Sequence, residues 1–64
     1  MESIYDIQQL LKRFGTFIYT GNRLGDIELM ESELNELKKM AFIQPGDYQK
    51  AILLLRKEKR RLSS

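Results

Sequence analysis

The chain has 64 residues, a net charge of +2, and neither histidine nor cysteine. A chain this short makes one small domain, here residues 1–64, held by packing alone without disulfides. The missing His and Cys remove the usual ligands of zinc and most transition metals and exclude Ser-His and Cys-His nucleophile pairs, and no run approaches the ~20 apolar residues of a membrane span.

The expectation is therefore a non-enzymatic protein with no catalytic residue, no metal and no cofactor. The first residues, MESIYDIQQLL, carry Glu2 and Asp6 where a secretory signal has bases. With the absence of cysteine, this reads as a cytoplasmic protein.

The first helix is expected over Ser3 to Phe14. Ser3 is a good N-cap, and Asp6 three residues later completes a capping-box-like pair. Ile4, Ile7, Leu11 and Phe14 fall at helical spacing and form its apolar seam, with Leu10 beside it. Lys12 and Arg13 sit in the last turn, where the helix dipole favours cations. Gly15 suits the left-handed residue just past the end. Tyr5 falls off the seam, on the same side as Lys12.

Thr16 to Thr20, TFIYT, is β-branched or aromatic throughout. By propensity it is a strand, yet no second strand exists to pair with it, and a lone strand is not stable. It reads as an ordered aromatic connector, extended or a strained helical turn, pressed inward by Phe17 and Ile18. Gly21-Asn22 ends it, and Asn22 is placed to cap the next helix. Gly25 weakens that start by ~1 kcal/mol relative to Ala and suggests the close approach of another backbone.

Asp26 to Ala41 is the longest unbroken helical pattern. Ile27, Met30, Leu34, Leu37 and Ala41 line one side, and the acids precede Lys38 and Lys39 in the order the dipole favours. Phe42-Ile43 reads as an apolar turn tucked into the core. Gln44-Pro45-Gly46-Asp47 opens the third helix, with Pro at its first position and an acid in its first turn. Tyr48, Ala51, Ile52, Leu55 and Leu62 share its inner face. Ser63-Ser64 is expected to fray. The fold class is all-α, a small three-helix bundle.

Charge is unevenly spread. Residues 26–36 hold five acids and no base, and residues 56–61 hold five bases and one acid. Adjacent packing of the acidic and basic helices accounts for this most simply. Lys50, Lys57 and Arg61 nevertheless form a stripe opposite the apolar face of the third helix, with Arg60 nearby. Arg56/Arg60 and Lys57/Arg61 are like-charge pairs four residues apart, which cost a few tenths of a kcal/mol. An anionic partner explains that cost. A carboxylate metal site from Glu28 and Glu31, or Glu33 and Glu36, is disfavoured because these residues spread around the helix.

Gly15 to Gly21 superficially has the glycine spacing of a phosphate loop, but no Lys-Ser/Thr pair follows and no strand precedes. Gly21, Asn22 and Arg23 at a helix start keep a weaker capacity for one phosphate. Lys12, Arg13, Phe14, Phe17, Tyr19 and Arg23 interleave bases with aromatics, the pattern of single-stranded nucleic-acid binding, where each stacked base is worth ~1–3 kcal/mol. Phe14 and Phe17 are assigned to the core, and the exposure of Tyr19 is left open. The candidate nucleic-acid contacts are Arg13, Tyr19, Arg23, Lys50, Lys57, Arg60 and Arg61. The rival reading is a protein adaptor or homodimer using Leu29, Leu53 and Leu54. Bare Leu53 and Leu54 favour the rival, and a bare Tyr19 with both leucines covered favours nucleic acid.

The runs YDIQQLLKRFGTFIYTGNRLGDIELMESELNEL and YQKAILLLRKEKR resemble the YqgQ-like family of short uncharacterised bacterial proteins. Phe17 to Glu31, FIYTGNRLGDIELME, carries the most specific part of the likeness, with Asn22 where an acid is expected before the arginine. The resemblance implies a cytosolic, all-helical, three-helix protein and a role in binding single-stranded nucleic acid. On that likeness the loop residues are Phe17, Ile18, Tyr19, Thr20, Gly21 and Arg23.

Overall fold

The computed structural model describes residues 2–63. Three helices make up most of the chain: α1 over Ile4–Arg13, α2 over Arg23–Lys39 and α3 over Pro45–Ser63. The three-helix, all-α architecture is as the sequence predicts, with differences at the helix ends and around the aromatics.

Local chemistry sets the starts. The Ser3 hydroxyl accepts from the Asp6 N–H, and the Asp6 carboxylate accepts from the Ser3 N–H at 3.2 Å, a complete capping box. The Asn22 side-chain Oδ1 accepts from the Gly25 N–H at 2.8 Å, so α2 begins at Arg23, three residues before Asp26. What approaches Gly25 is side chain, not another backbone: a Cβ there would meet Asn22 Oδ1 at 3.5 Å and Thr20 Oγ1 at 3.6 Å.

Both α1 and α2 end in a paired left-handed turn. The Thr16 N–H donates to the Leu11 carbonyl at 3.0 Å and the Gly15 N–H to Lys12 at 2.9 Å, with Gly15 at φ +83°. At the end of α2 the same pattern links Phe42 to Leu37 and Ala41 to Lys38, but the left-handed residue is Ala41, at φ +60°. This is the Schellman arrangement, twice. It removes Ala41 from the seam of α2 and leaves it exposed. Ser63 remains helical, its hydroxyl donating to the Lys59 carbonyl at 3.0 Å. Ser64 lies outside the described residues.

The core combines Ile7, Leu10 and Leu11 of α1, Ile27, Met30, Leu34 and Leu37 of α2, and Ala51, Ile52 and Leu55 of α3. Each large apolar side chain buried this way contributes roughly 1.5–3 kcal/mol. Ile18, Ile43, Tyr48, Leu54 and Leu62 pack against its margin. The Tyr48 hydroxyl donates to Asn35, and Lys38 Nζ lies 4.5 Å above the Tyr48 ring, joining α3 to α2 at that end.

Three aromatics assigned to the interior are exposed instead: Phe14, Phe17 and Phe42. Phe14 caps α1 and Phe42 follows α2, and their rings stack at 5.9 Å between centroids. The C-terminal ends of the two helices therefore meet, and α1 and α2 run in the same direction. The connector must return between them. Its Thr16 hydroxyl donates to Glu33 at 3.3 Å and its Thr20 hydroxyl to Asp26 at 2.6 Å, so it descends antiparallel to α2. Glu33 to Asp26 is about 10 Å of helix axis, a distance that Thr16 to Thr20 covers only when extended at ~3.3 Å per residue. The connector is thus an extended segment and not a helical turn.

Candidate nucleic-acid interface

In an extended segment alternate side chains point to opposite sides. Thr16 and Thr20 turn toward α2, where their hydroxyls are bonded, and Ile18 between them packs on the core. Phe17 and Tyr19 must then point outward, and they are 74% and 88% exposed. Tyr19 is bare, and Phe17 stands beside it.

The connector is fastened where it ends. Asp26, only 5% exposed, accepts both the Thr20 N–H at 2.8 Å and the Thr20 hydroxyl at 2.6 Å through one oxygen. It does so in the first turn of α2, where the helix dipole also favours an anion. The Thr20 hydroxyl in turn accepts the Asn22 N–H at 3.2 Å.

Between α1 and the connector lies an open cleft of about 460 Å³ lined by Tyr5, Gln8, Gln9, Leu11, Lys12 and residues 16–19. Among the described residues its only charged lining side chain is Lys12. Tyr5, 65% exposed, contributes a third ring. Neither Tyr5, Lys12 nor Phe17 was among the seven candidate contacts. Two signals were present: Phe17 and Tyr19 are two apart in an extended segment, and Tyr5 and Lys12 are seven apart on a helix.

The basic candidates divide. Arg23 donates from Nε and Nη2 to Glu58 Oε2, at 3.1 and 2.9 Å. Arg61 donates to the same carboxylate from Nε at 2.6 Å and Nη2 at 3.0 Å. Bonds from Arg61 and then Arg23 lower the Glu58 pKa to about 2, and Glu58 raises that of Arg61. Two guanidiniums on one carboxylate leave one net positive charge where α2 begins and α3 ends. Tyr19, next to the Asp26-bound Thr20, is at this same end.

Lys57 and Arg60 are exposed on α3 and form no ion pair among the described residues. Arg56, Lys59 and Arg60 line a shallow depression with Leu53 and Ser63, and its charged residues among those described are all basic. Lys50 is also exposed but lies toward the opposite end, two residues past Tyr48. Arg13, at the end of α1, shares a cleft with Glu2, Asp6 and Asp47, which would repel a phosphate. The structure thus groups Tyr19, Arg23 and Arg61 at one end with the last turns of α3, and separates Arg13 and Lys50 from them.

The leucines of the rival reading also divide. Leu29 and Leu53 are 46% and 57% exposed, whereas Leu54 packs against the core. No group of acids placed to hold a metal ion occurs among the described residues, and none of their helices is long and apolar enough to cross a membrane.

Fold and site together define a class: a small three-helix protein whose first two helices are joined by an extended, outward-facing aromatic connector. The YqgQ-like family model matches residues 1–61. Over 58 residues the chain is 45% identical to the "Uncharacterized protein YqgQ" of Bacillus subtilis (strain 168), covering 91% of this chain and 82% of that protein. The chain belongs to the YqgQ-like family.

Proposed function

We propose that this is a non-enzymatic cytoplasmic protein that binds single-stranded RNA or DNA through stacking and phosphate contacts. The observation that carries this reading is the pair Phe17 and Tyr19, both bare, on a fastened segment beside a cleft whose only charged side chain among the described residues is Lys12. Exposed rings cost hydrophobic free energy in a free monomer, and base stacking offsets that cost. Lys57 and Arg60, with Arg56 and Lys59 beside them, supply for a phosphate backbone cations that form no ion pair among the described residues. Arg23 and Arg61 add the residual positive charge around Glu58. The acidic α2 keeps the strand to the connector and α3 side.

Titration of a labelled single-stranded RNA by anisotropy at several salt concentrations tests this. Each phosphate neutralised contributes about −0.7 to the log–log salt slope, so the double variant Lys57→Ala/Arg60→Ala is expected to flatten the slope by about 1.4. A wild-type protein that binds no strand at low salt sinks the reading. Exposed Leu53, ringed by bases, favours a second reading, an adaptor for an acidic protein surface. In that case RNA binding is absent, and Leu53→Ala removes the association.

A further inference from the structure

The backbone N–H and C=O groups of Phe17, Ile18 and Tyr19 make no hydrogen bond among the described residues. The backbone on either side is bonded: Thr16 N–H to Leu11, Thr20 N–H to Asp26. The result is an extended edge, held at both ends and unpaired in the middle. No charge, proline or bulge blunts it, although natural edges are commonly protected that way.

The rings on this edge have a useful spacing. Phe17 and Tyr19 are two residues apart, about 6.6 Å along an extended chain. Successive stacked bases lie ~3.4 Å apart, and a ring inserted between them opens that spacing to about twice as much. Two adjacent bases, each on its own ring, therefore match the segment. An amide N–H and C=O from one residue also offer a donor and an acceptor side by side. Every base presents the complementary groups on its pairing edge, and only an unpaired base leaves that edge open.

We propose that Phe17 to Tyr19 form a two-nucleotide site for adjacent unpaired bases, with one base on each ring and the backbone groups between them bonding the base edges. The proposal rests on the nucleic-acid reading above and assigns its recognition element. Lys12 supplies the cation for the phosphate that links the two bases. Selection for single strands over duplex follows, because a duplex occupies the pairing edges that the segment would read.

The chain contains no tryptophan, so its emission comes from Tyr5, Tyr19 and Tyr48, and stacking on Tyr19 quenches that residue's share. Titration of the full chain with a short single-stranded RNA is expected to quench it. Phe17→Ala and Tyr19→Ala should each weaken anisotropy-detected binding by about five- to a hundredfold, with unchanged thermal melts because both side chains are exposed. Tyr19→Phe should bind as the wild type does while losing much of the quench. A duplex of the same sequence should bind more weakly than the single strand.

If both alanine variants bind like wild type while Lys57→Ala/Arg60→Ala weakens binding, the two-base site and the stacking contacts are wrong, and only phosphate contacts by the basic end of α3 stand. Failure of the wild type to bind any single strand removes both. A sedimenting dimer that Phe17→Ala and Tyr19→Ala dissolve would also overturn the proposal, because the edge would then be pairing with a second copy.

Discussion

Two residues bear on stability in opposite directions. Asp26 is a buried carboxylate with two hydrogen bonds, both from Thr20. Hydrogen bonds to charged groups are worth about 1.5–3 kcal/mol, while a core of this size supplies only ~3–5 kcal/mol in net stability. Asp26→Ala is therefore expected to lose about 2–3 kcal/mol in urea unfolding, most of the available margin; a loss below about 0.5 kcal/mol, the range of ordinary surface changes, would show that Thr20 is not fastened there. Ala41 is the opposite case. At φ +60° it is the only non-glycine among the described residues with a positive φ, a conformation that costs an L-residue ~1–2 kcal/mol. Glycine removes that strain but loses ~0.5–1 kcal/mol more backbone freedom on folding. Ala41→Gly should stabilise by about 0.5–1 kcal/mol, the balance of the two effects, read as a higher urea midpoint at unchanged slope. A lower midpoint would contradict the left-handed assignment.

At the scale of elements, what was legible in the sequence was what is local. Ser3 with Asp6, Asn22, Gly15 and Pro45 mark helix boundaries by chemistry that acts within four residues, and each does so in the structure. The helix seams were readable because burial repeats with the helical period. The aromatics were not, because hydrophobicity says how much a ring gains by burial but not whether the backbone turns it inward. Apolar character alone places Phe17 in the core, while its direction is fixed by Thr16 and Thr20, whose hydroxyls find Glu33 and Asp26 seventeen and six residues away. Those contacts are set by tertiary structure. Phe14 and Phe42 escaped for a related reason: each lies at the end of a helix, where the seam stops, and they cover each other. Of the candidate site, Tyr19 and the exposed bases of α3 were visible in the sequence, whereas the partnership of Arg23 and Arg61 with Glu58 was not.

At the scale of the molecule, the connector is a fourth structural element. Because it runs back along α2, α1 and α2 lie in the same direction and α3 closes the bundle antiparallel to them, joined by Tyr48 to Asn35 at one end and Arg23 to Glu58 at the other. This separates the charges differently from simple neutralisation of an acidic helix by a basic one. The ion pair between α2 and α3 joins a base of the acidic helix to an acid of the basic helix, leaving Lys57 and Arg60 facing solvent. The connector is fastened at Thr16 and Thr20 and open between them. Amide hydrogen exchange by NMR tests it residue by residue. The Thr16 and Thr20 amides should exchange slowly, and those of Phe17, Ile18 and Tyr19 near the rate of unstructured chain. Uniform protection from Phe17 to Tyr19 would mean the edge is paired or helical, and fast exchange at all five positions would mean a loose loop. Either result contradicts this account.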